Sequence, residues 1–268
     1  MTTLEIMQSA KIASYGVMTA DTQTKNNALS AMAQALLAHT DAILAANKID
    51  CEKAKGTVSD VMLDRLLLTE ARIKGMAQGI LDVVALPDPA GRVIESHTHP
   101  KGMTIQKVSA PLGVIAIIYE SRPNVTSDAA ALAIKSGNAC ILRSGKEAHG
   151  SAAAITNALR EGVKAAGLPK NAVLLVEDTS RESANELMRG VGYIDLLIPR
   201  GGAGLIRNCV ENASVPCIET GTGICTVYVD ASTDQEMALK IIDNAKTQRP
   251  SVCNAEEICL VARDIAKE

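Results

Sequence analysis

Residues Pro111–Ala148 read PLGVIAIIYESRPNVTSDAAALAIKSGNACILRSGKEA, and this stretch decides the fold. It holds two short apolar runs, VIAII at 114–118 and CILR at 140–143, with a helical pattern over 127–136 between them. The apolar runs are continuous rather than alternating, which indicates strands that are buried on both faces. The stretch therefore predicts an α/β fold in which helices cover both sides of a parallel sheet.

The same alternation continues toward the C-terminus and is typical of a dinucleotide-binding domain. Further strands are predicted at 173–176, 195–198, 217–219, 226–229 and 258–261, and further helices at 148–166, 181–189, 203–211 and 233–246.

The N-terminal part follows a different pattern. From residue 3 to about 86, apolar residues recur at three- and four-residue intervals, which predicts helices, and Ser59 and Thr69 lie where N-caps would open two of them. Residues 87–101 contain three prolines and end this pattern. They predict an extended, hairpin-like accessory element that continues through Met103–Val108.

Composition limits the class of protein. The 268 residues are 47% hydrophobic, with a net charge of −3, no Phe and no Trp. Nucleic acid is therefore not an expected partner, because both a basic surface and aromatic stacking groups are lacking. The first residues do not resemble a signal peptide, and no apolar run is long enough for a membrane span. We expect a cytoplasmic protein with a small-molecule substrate.

Seven cysteines are scattered along the chain without CxxC pairs. This pattern favours neither disulfides nor zinc. The even spacing of Cys209, Cys217 and Cys225 permits a metal site, but small buried hydrophobes are the better interpretation. No metal is expected, and the four histidines are interpreted as solvated loop residues.

One cysteine lies in a more informative context, NAKTQRPSVCNAEE at Asn244–Glu257. Pro250 forces Arg249 out of helical geometry, so that Cys253 falls on a loop before the next strand. By composition alone Cys253 could be a nucleophile or an ordinary packed cysteine.

From Gly113 onward the chain resembles the aldehyde dehydrogenase superfamily, and within it the branch that reduces an acyl phosphate. The similar blocks are Pro111–Ala148, YIDLLIPRGGAGLI at Tyr193–Ile206, and Asn244–Glu257, with MLDRLLLTEARIKGMA at Met62–Ala77 also similar. The resemblance covers essentially the whole chain. It implies an aldehyde-dehydrogenase-like fold, with N-terminal helices, a parallel-sheet dinucleotide-binding domain and a catalytic domain entered just before the cysteine.

The resemblance also implies a domain division. Residues 1–86 are the helical part of the nucleotide domain, 87–110 the hairpin of an oligomerisation element, 111–246 the dinucleotide-binding domain, and 247–268 the start of the catalytic domain. Members of the superfamily continue well beyond this length, so we expect a truncated catalytic domain and a homo-oligomer in the full-length form. Thr226 is a smaller departure, because many relatives have His there.

The implied reaction is the NADPH-dependent reduction of L-glutamyl 5-phosphate to L-glutamate 5-semialdehyde, a step of proline biosynthesis. Cys253 would form a thioester, and Asn124 with the cysteine N–H would hold the oxyanion. Without the resemblance, Asn124 is an ordinary turn residue. Arg122 and Arg249 are the candidates for binding the substrate. Glu219 matches the base of aldehyde-oxidising members and stays outside the catalytic set.

For the cofactor the resemblance points to Arg143 and Lys146 at a strand end, and to Gly201, Gly202 and Ala203 at a helix start. The helix start would meet the pyrophosphate. Lys146 stands where NAD-preferring relatives often have Glu, and a cation there suits the 2′-phosphate of NADPH. The glycines also fit a tight strand-to-helix turn.

Two other functions remain open, an aldehyde-oxidising dehydrogenase of the same superfamily and a catalytically silent nucleotide-binding fragment. The block TQRPSVC and the lysine at 146 favour the acyl-phosphate reductase over the oxidising enzyme.

Overall fold

The structure is a computed structural model, and it describes residues 1–219, 221, 223–250 and 252–267. The chain divides into two compact units, Met1–Glu219 and Thr220–Glu268. Each unit is described by itself.

A four-stranded parallel sheet forms the centre of the first unit. Its strand order is β5-β4-β3-β6, and β3 is paired in register with β4 and β6, so that Ile115 lies opposite Cys140 on one side and Leu196 on the other. The strands are β3 (Val114–Tyr119), β4 (Ala139–Arg143), β5 (Val173–Leu175) and β6 (Leu196–Arg200).

Nine α-helices of the first unit are described. Side chains cap several of their N-termini, and Ser59 and Thr69 accept backbone N–H bonds at the starts of α4 and α5, as predicted. The helices are α1 (Thr3–Met18), α2 (Thr22–Ala38), α3 (Thr40–Ala54), α4 (Asp60–Leu66), α5 (Glu70–Ala85), α6 (Asn124–Lys135), α7 (His149–Ala165), α8 (Arg181–Met188) and α9 (Ala203–Asn212).

Among the described residues no single helix has the length and hydropathy needed to cross a membrane. The α2–α3 pair reaches that length only with a bend of 66°.

Strand β3 is buried along its whole length, and its two faces meet different helices. Ile115, Ile117 and Tyr119 belong to a core that includes residues of α2, α5, α6 and α7. The alternate residues, from Val114 to Ile118, pack in a second core with residues of α1, α8 and α9. The continuous apolar run thus has the two-sided burial that the sequence predicts, and the prediction of a parallel α/β sheet is confirmed.

One predicted strand is wrong. Residues 217–219 do not form a strand and contribute only an isolated parallel bridge between Leu197 and Cys217. Pro216 precedes the bridge and accepts a bond from the Leu197 N–H, but proline has no N–H to extend a ladder. The apolar pattern alone does not show that this N–H donor is missing.

Along the chain, an antiparallel hairpin follows α5 and precedes β3. Its strands are β1 (Val93–Thr98) and β2 (Thr104–Val108), with His97 opposite Ile105. Both strands are exposed along their whole length and carry large apolar side chains, namely Val93, Ile94, Ile105 and Val108. The predicted hairpin is present, and its role in oligomerisation stays a prediction.

The second unit is small. It contains β7 (Thr226–Val229), α10 (Gln235–Thr247) and β8 (Ile258–Val261), and the two strands pair in parallel. The domain boundary expected between residues 246 and 247 falls inside this unit. The assignment of these residues to domains stays a prediction.

Helices α2 and α7 approach each other closely at Gly162, on the layer that covers one face of the sheet. A Cβ atom at Gly162 would lie 2.4 Å from the Met32 backbone N and 2.5 Å from its Cα. These neighbours are backbone atoms, which cannot rotate out of the way. The glycine therefore sets the distance between the two helices.

We expect Gly162→Ala to lower the free energy of unfolding by about 1–3 kcal/mol, because the helices must separate to admit the methyl group. Gly75→Ala in α5 is the matched control. Nothing lies within 4 Å of its Cβ position, so the substitution should stabilise the protein by up to about 1 kcal/mol. Urea unfolding of both variants measures the difference, and equal stability of the two would contradict this account of the helix contact.

Candidate nucleotide and thiol sites

The order of the sheet creates a crevice at one edge. The chain runs from β3 outward through β4 to β5 and then returns to the other side of β3 with β6. Ligands of open parallel sheets bind at such a reversal, outside the carboxyl ends of the strands. Here the two flanking segments are 120–124, after β3, and 201–203, after β6.

Glu120 contacts the start of α9 in this crevice. Its Oε1 accepts a bond from the Gly202 N–H at 2.9 Å. A Cβ atom at Gly201 would lie 2.6 Å from the Glu120 carboxyl carbon, so a larger residue at 201 would displace this side chain. The N-terminus of α9 thus holds an anionic group, as the partial positive charge of a helix N-terminus favours.

Asn124 is the first residue of α6 and is exposed. Its Nδ2 donates to Asp128 Oδ2, one helical turn further on, at 3.0 Å. Burial raises the pKa of the Asp128 carboxyl, and bonds from Asn124 and Ser127 oppose that rise. The amide group has two N–H donors, so the second is available for a ligand. Arg122, which is half-buried, lies on the same segment.

Arg143 and Lys146 follow β4, but the structure places them differently. Arg143 is half-buried, and its Nη2 donates to the carbonyl oxygens of Thr179 and Ser180 at 2.7 and 2.8 Å. Burial lowers the pKa of its guanidinium. Arg143 therefore holds the loop between β5 and α8. Lys146 opens a 3-10 turn and is exposed.

Lys146 borders a cleft of about 640 Å³ that α3 closes on the other side, where Lys53 lines it. Three carboxylates also line the cleft, and each has a partner. Asp50 accepts bonds from the Ser151 N–H and Oγ, Glu147 from the Ser121 Oγ, and Glu177 from the N-terminal amine. The cleft thus has one ammonium group on each side.

Cys253 and Arg249 belong to the second unit, and both are exposed. Helix α10 ends at Thr247 and Cys253 follows in a turn, in which the Ala255 N–H donates to the Val252 carbonyl at 3.2 Å. The Cys225 thiol donates to the Cys253 carbonyl at 3.3 Å. The Cys253 side chain is therefore presented to solvent, whereas Cys51, Cys140 and Cys209 are buried.

The structure thus brings the predicted residues together in two groups. Arg122 and Asn124 share the β3–β6 crevice with Gly201, Gly202 and Ala203, and Arg143 and Lys146 follow the neighbouring strand. Cys253 and Arg249 form the second group. Sequence reasoning missed Glu120, although its position directly after a buried strand was a usable signal. Among the described residues, no group of three or more His, Cys, Asp or Glu could hold a metal ion.

The family model of the aldehyde dehydrogenases matches residues 2–268, and the chain belongs to this family. Within it, the chain is similar to γ-glutamyl phosphate reductases. It is 58% identical over 269 residues to the one from Streptococcus suis, covering 100% of this chain and 65% of that protein.

Solved structures agree with this relationship. The γ-glutamyl phosphate reductase from Thermotoga maritima superposes with a TM-score of 0.91 at 43% identity, covering 100% of this chain and 65% of that one. The enzyme from Saccharomyces cerevisiae gives a TM-score of 0.76 at 34% identity, with 100% and 67% covered. The chain therefore spans about two thirds of the length of these relatives.

The position of Glu120 leads to a prediction about anion binding. Glu120→Gln keeps an oxygen that can accept the Gly202 N–H bond but removes the negative charge. We expect inorganic pyrophosphate to bind about 5-fold more tightly, which corresponds to roughly 1 kcal/mol for a charge near a helix N-terminus. Isothermal titration calorimetry measures the change.

Glu95→Gln is the matched control, because it makes the same change of charge on the exposed strand β1 and should leave the affinity unchanged. Weaker pyrophosphate binding by the Glu120 variant would mean that the carboxylate supports the anion site rather than competing for it.

Proposed function

We propose that the protein reduces L-glutamyl 5-phosphate to L-glutamate 5-semialdehyde with NADPH, in proline biosynthesis. The names of the relatives at 57–58% identity support the substrate and the reaction. The observation that carries the proposal is the exposed thiol of Cys253 in the turn after α10, within the block that resembles the superfamily's nucleophile.

Cys253 acts as the nucleophile. Its thiolate, the reactive form of the group, attacks the acyl carbon of the substrate, a C–S bond forms and the C–O bond to phosphate breaks. Inorganic phosphate leaves with the electron pair of the broken bond. The product of this half-reaction is a thioester on Cys253.

Asn124 stabilises the negative charge that develops on the acyl oxygen. One of its N–H groups is bound by Asp128, which fixes the orientation of the amide. The other N–H is available to donate to the oxyanion. Arg122 and Arg249 are assigned to the phosphate or carboxylate of the substrate, since guanidinium groups bind both in a two-pronged geometry.

The β3–β6 crevice fits a nicotinamide dinucleotide. The N-cap of α9 is Gly202, which has no side chain to cap the helix, and its N–H already binds a carboxylate. The same N–H groups can bind a pyrophosphate once Glu120 rotates away. When bound, the reduced cofactor would supply a hydride to the acyl carbon of the thioester. The C–S bond then breaks, which releases the aldehyde and returns Cys253 as the thiolate. We assign Lys146 and Lys53, on the two sides of the neighbouring cleft, to the binding of a 2′-phosphate, and this assignment supports NADPH as the cofactor.

The exposed hairpin β1–β2 is assigned to self-association of the full-length protein. Its apolar side chains are exposed, and the unpaired backbone groups of an exposed edge strand can pair with a strand of another chain. A homo-oligomer is the simplest partner for it.

Cys253→Ser tests the assignment of this residue as the nucleophile. With glutamate semialdehyde, NADP and phosphate, we expect NADPH formation to fall by at least about 10³-fold, because a covalent nucleophile is lost. Nucleotide affinity, measured by fluorescence titration, should stay within a few fold.

Cys259→Ser is the control. Cys259 is also exposed, but desolvation and the neighbouring Glu256 raise the pKa of its thiol, so this variant should keep its activity. A near-normal rate in the Cys253 variant would assign the nucleophile to another cysteine. NADPH formation that does not require phosphate would support the aldehyde-oxidising alternative.

Lys146→Glu tests the choice of cofactor. We expect NADPH to bind about 10- to 100-fold more weakly, because a charge-assisted hydrogen bond is worth roughly 1.5–3 kcal/mol, with little loss for NADH. Lys164→Glu, at the opposite end of α7, is the control and should leave both affinities unchanged. An equal loss for NADPH and NADH would mean that Lys146 contacts a part that both cofactors share.

A further inference from the structure

We propose that Cys225 and Cys253 form a reversible disulfide when the protein meets a peroxide, so that Cys225 serves as the resolving thiol for an oxidised Cys253. The bond itself depends only on the two thiols. Its effect on catalysis rests on the proposed function, because it would remove the nucleophile from the reaction.

The two residues are already in contact. Cys225 Sγ lies 3.3 Å from the Cys253 carbonyl oxygen. A carbonyl oxygen is about 2.4 Å from its own Cα, which puts Cys225 Sγ within about 6 Å of the Cys253 Cα. A disulfide needs Cα atoms about 4.4–6.8 Å apart and Cβ atoms about 3.5–4.5 Å apart. Closing the bond from the present contact requires the turn to move and the Cys253 side chain to rotate.

The surrounding backbone holds one partner still and presents the other. Cys225 lies directly before β7. Its carbonyl accepts bonds from the N–H groups of Glu257 and Ile258, at the start of β8, at 2.9 and 3.2 Å. Cys253 lies in a turn with an exposed side chain. The half-buried Cys225 is thus fixed beside the segment that carries the exposed thiol.

The other cysteines are less suited to this reaction. Cys51, Cys140 and Cys209 are buried, and burial raises the pKa of each thiol, which disfavours the reactive thiolate. Cys217 is half-buried, and desolvation and Glu219 raise the pKa of its thiol. Cys259 is exposed, but desolvation and Glu256 raise the pKa of its thiol. Oxidation should therefore begin at Cys253.

The chemistry balances with a peroxide as the oxidant. The Cys253 thiolate attacks one peroxide oxygen, the O–O bond breaks, and Cys253 becomes a sulfenic acid while the other oxygen leaves as an alcohol or water. The Cys225 sulfur then attacks the sulfenic sulfur, an S–S bond forms, and the hydroxide that leaves takes the thiol proton as water. Two thiols lose two electrons in total, and the peroxide gains them.

Such a disulfide would have two consequences. It would stop thioester formation while the oxidant lasts, and it would prevent further oxidation of Cys253 to the sulfinic and sulfonic acids, which simple thiols do not reverse. Cytoplasmic reductants would restore both thiols by exchange.

The test is to treat the purified chain with hydrogen peroxide, alkylate the remaining thiols, digest and identify the linked peptides by mass spectrometry. We expect a crosslink between the peptides of Cys225 and Cys253 that dithiothreitol removes. In Cys225→Ser the crosslink should be absent, and Cys253 should be found as a dimedone-reactive sulfenic acid or as higher oxides. Cys259→Ser is the matched control and should form the crosslink as the unmodified protein does.

Three results would overturn the proposal. They are oxidation of Cys253 without a crosslink in the unmodified protein, a crosslink from Cys253 to Cys259 in its place, and no oxidation of Cys253 at all.

An activity measurement on the full-length protein separates this proposal from the assigned reaction. We expect dithiothreitol to restore most of the activity lost to peroxide in the unmodified protein. In Cys225→Ser the restored fraction should be several-fold smaller. A crosslink without any measurable reductase activity would keep the redox pair and reject the proposed function. Reductase activity that depends on Cys253, without any crosslink after peroxide, would support the proposed function and reject the redox pair.

Discussion

The two-sided burial of β3 is the constraint on which the rest of the first unit depends. A strand that is apolar at every position must be covered on both faces, and here one face meets helices α2, α5, α6 and α7 and the other α1, α8 and α9. Parallel pairing then requires a crossover between successive strands. These crossovers bring the carboxyl ends of all four strands to one edge, so the packing of the core also gathers the polar residues that follow each strand.

Two glycines allow close approaches between segments of the first unit. Gly162 lets α7 approach the backbone of α2, and Gly201 lets the Glu120 carboxylate reach the start of α9. In both places a side chain would meet atoms that are already present. The first glycine allows two helices to pack closely, whereas the second allows a carboxylate to contact a helix N-terminus.

The two groups of predicted site residues differ in their chemical character. The first unit offers a helix N-terminus that a carboxylate already contacts, together with a cleft whose carboxylates all have partners and whose two sides each carry a lysine. In the second unit the Cys253 thiol is exposed, and the backbone carbonyl of Cys253 accepts a bond from the Cys225 thiol. The first arrangement favours the binding of a phosphorylated ligand, and the second favours covalent and redox chemistry at sulfur.

Apart from the strand predicted at 217–219, the sequence by itself determined the element order, the parallel sheet, the hairpin and the caps at Ser59 and Thr69, because these follow from periodicity and from local hydrogen bonds. The resemblance of three blocks supplied the family and the candidate residues. Only the tertiary structure decided that residues 217–219 form a single bridge, that Arg143 holds a loop, and that Glu120 meets Gly202. It also decided that Cys225 contacts the backbone of Cys253. Contacts between residues that are 28 or 82 positions apart depend on how the elements pack, and no local pattern encodes that packing.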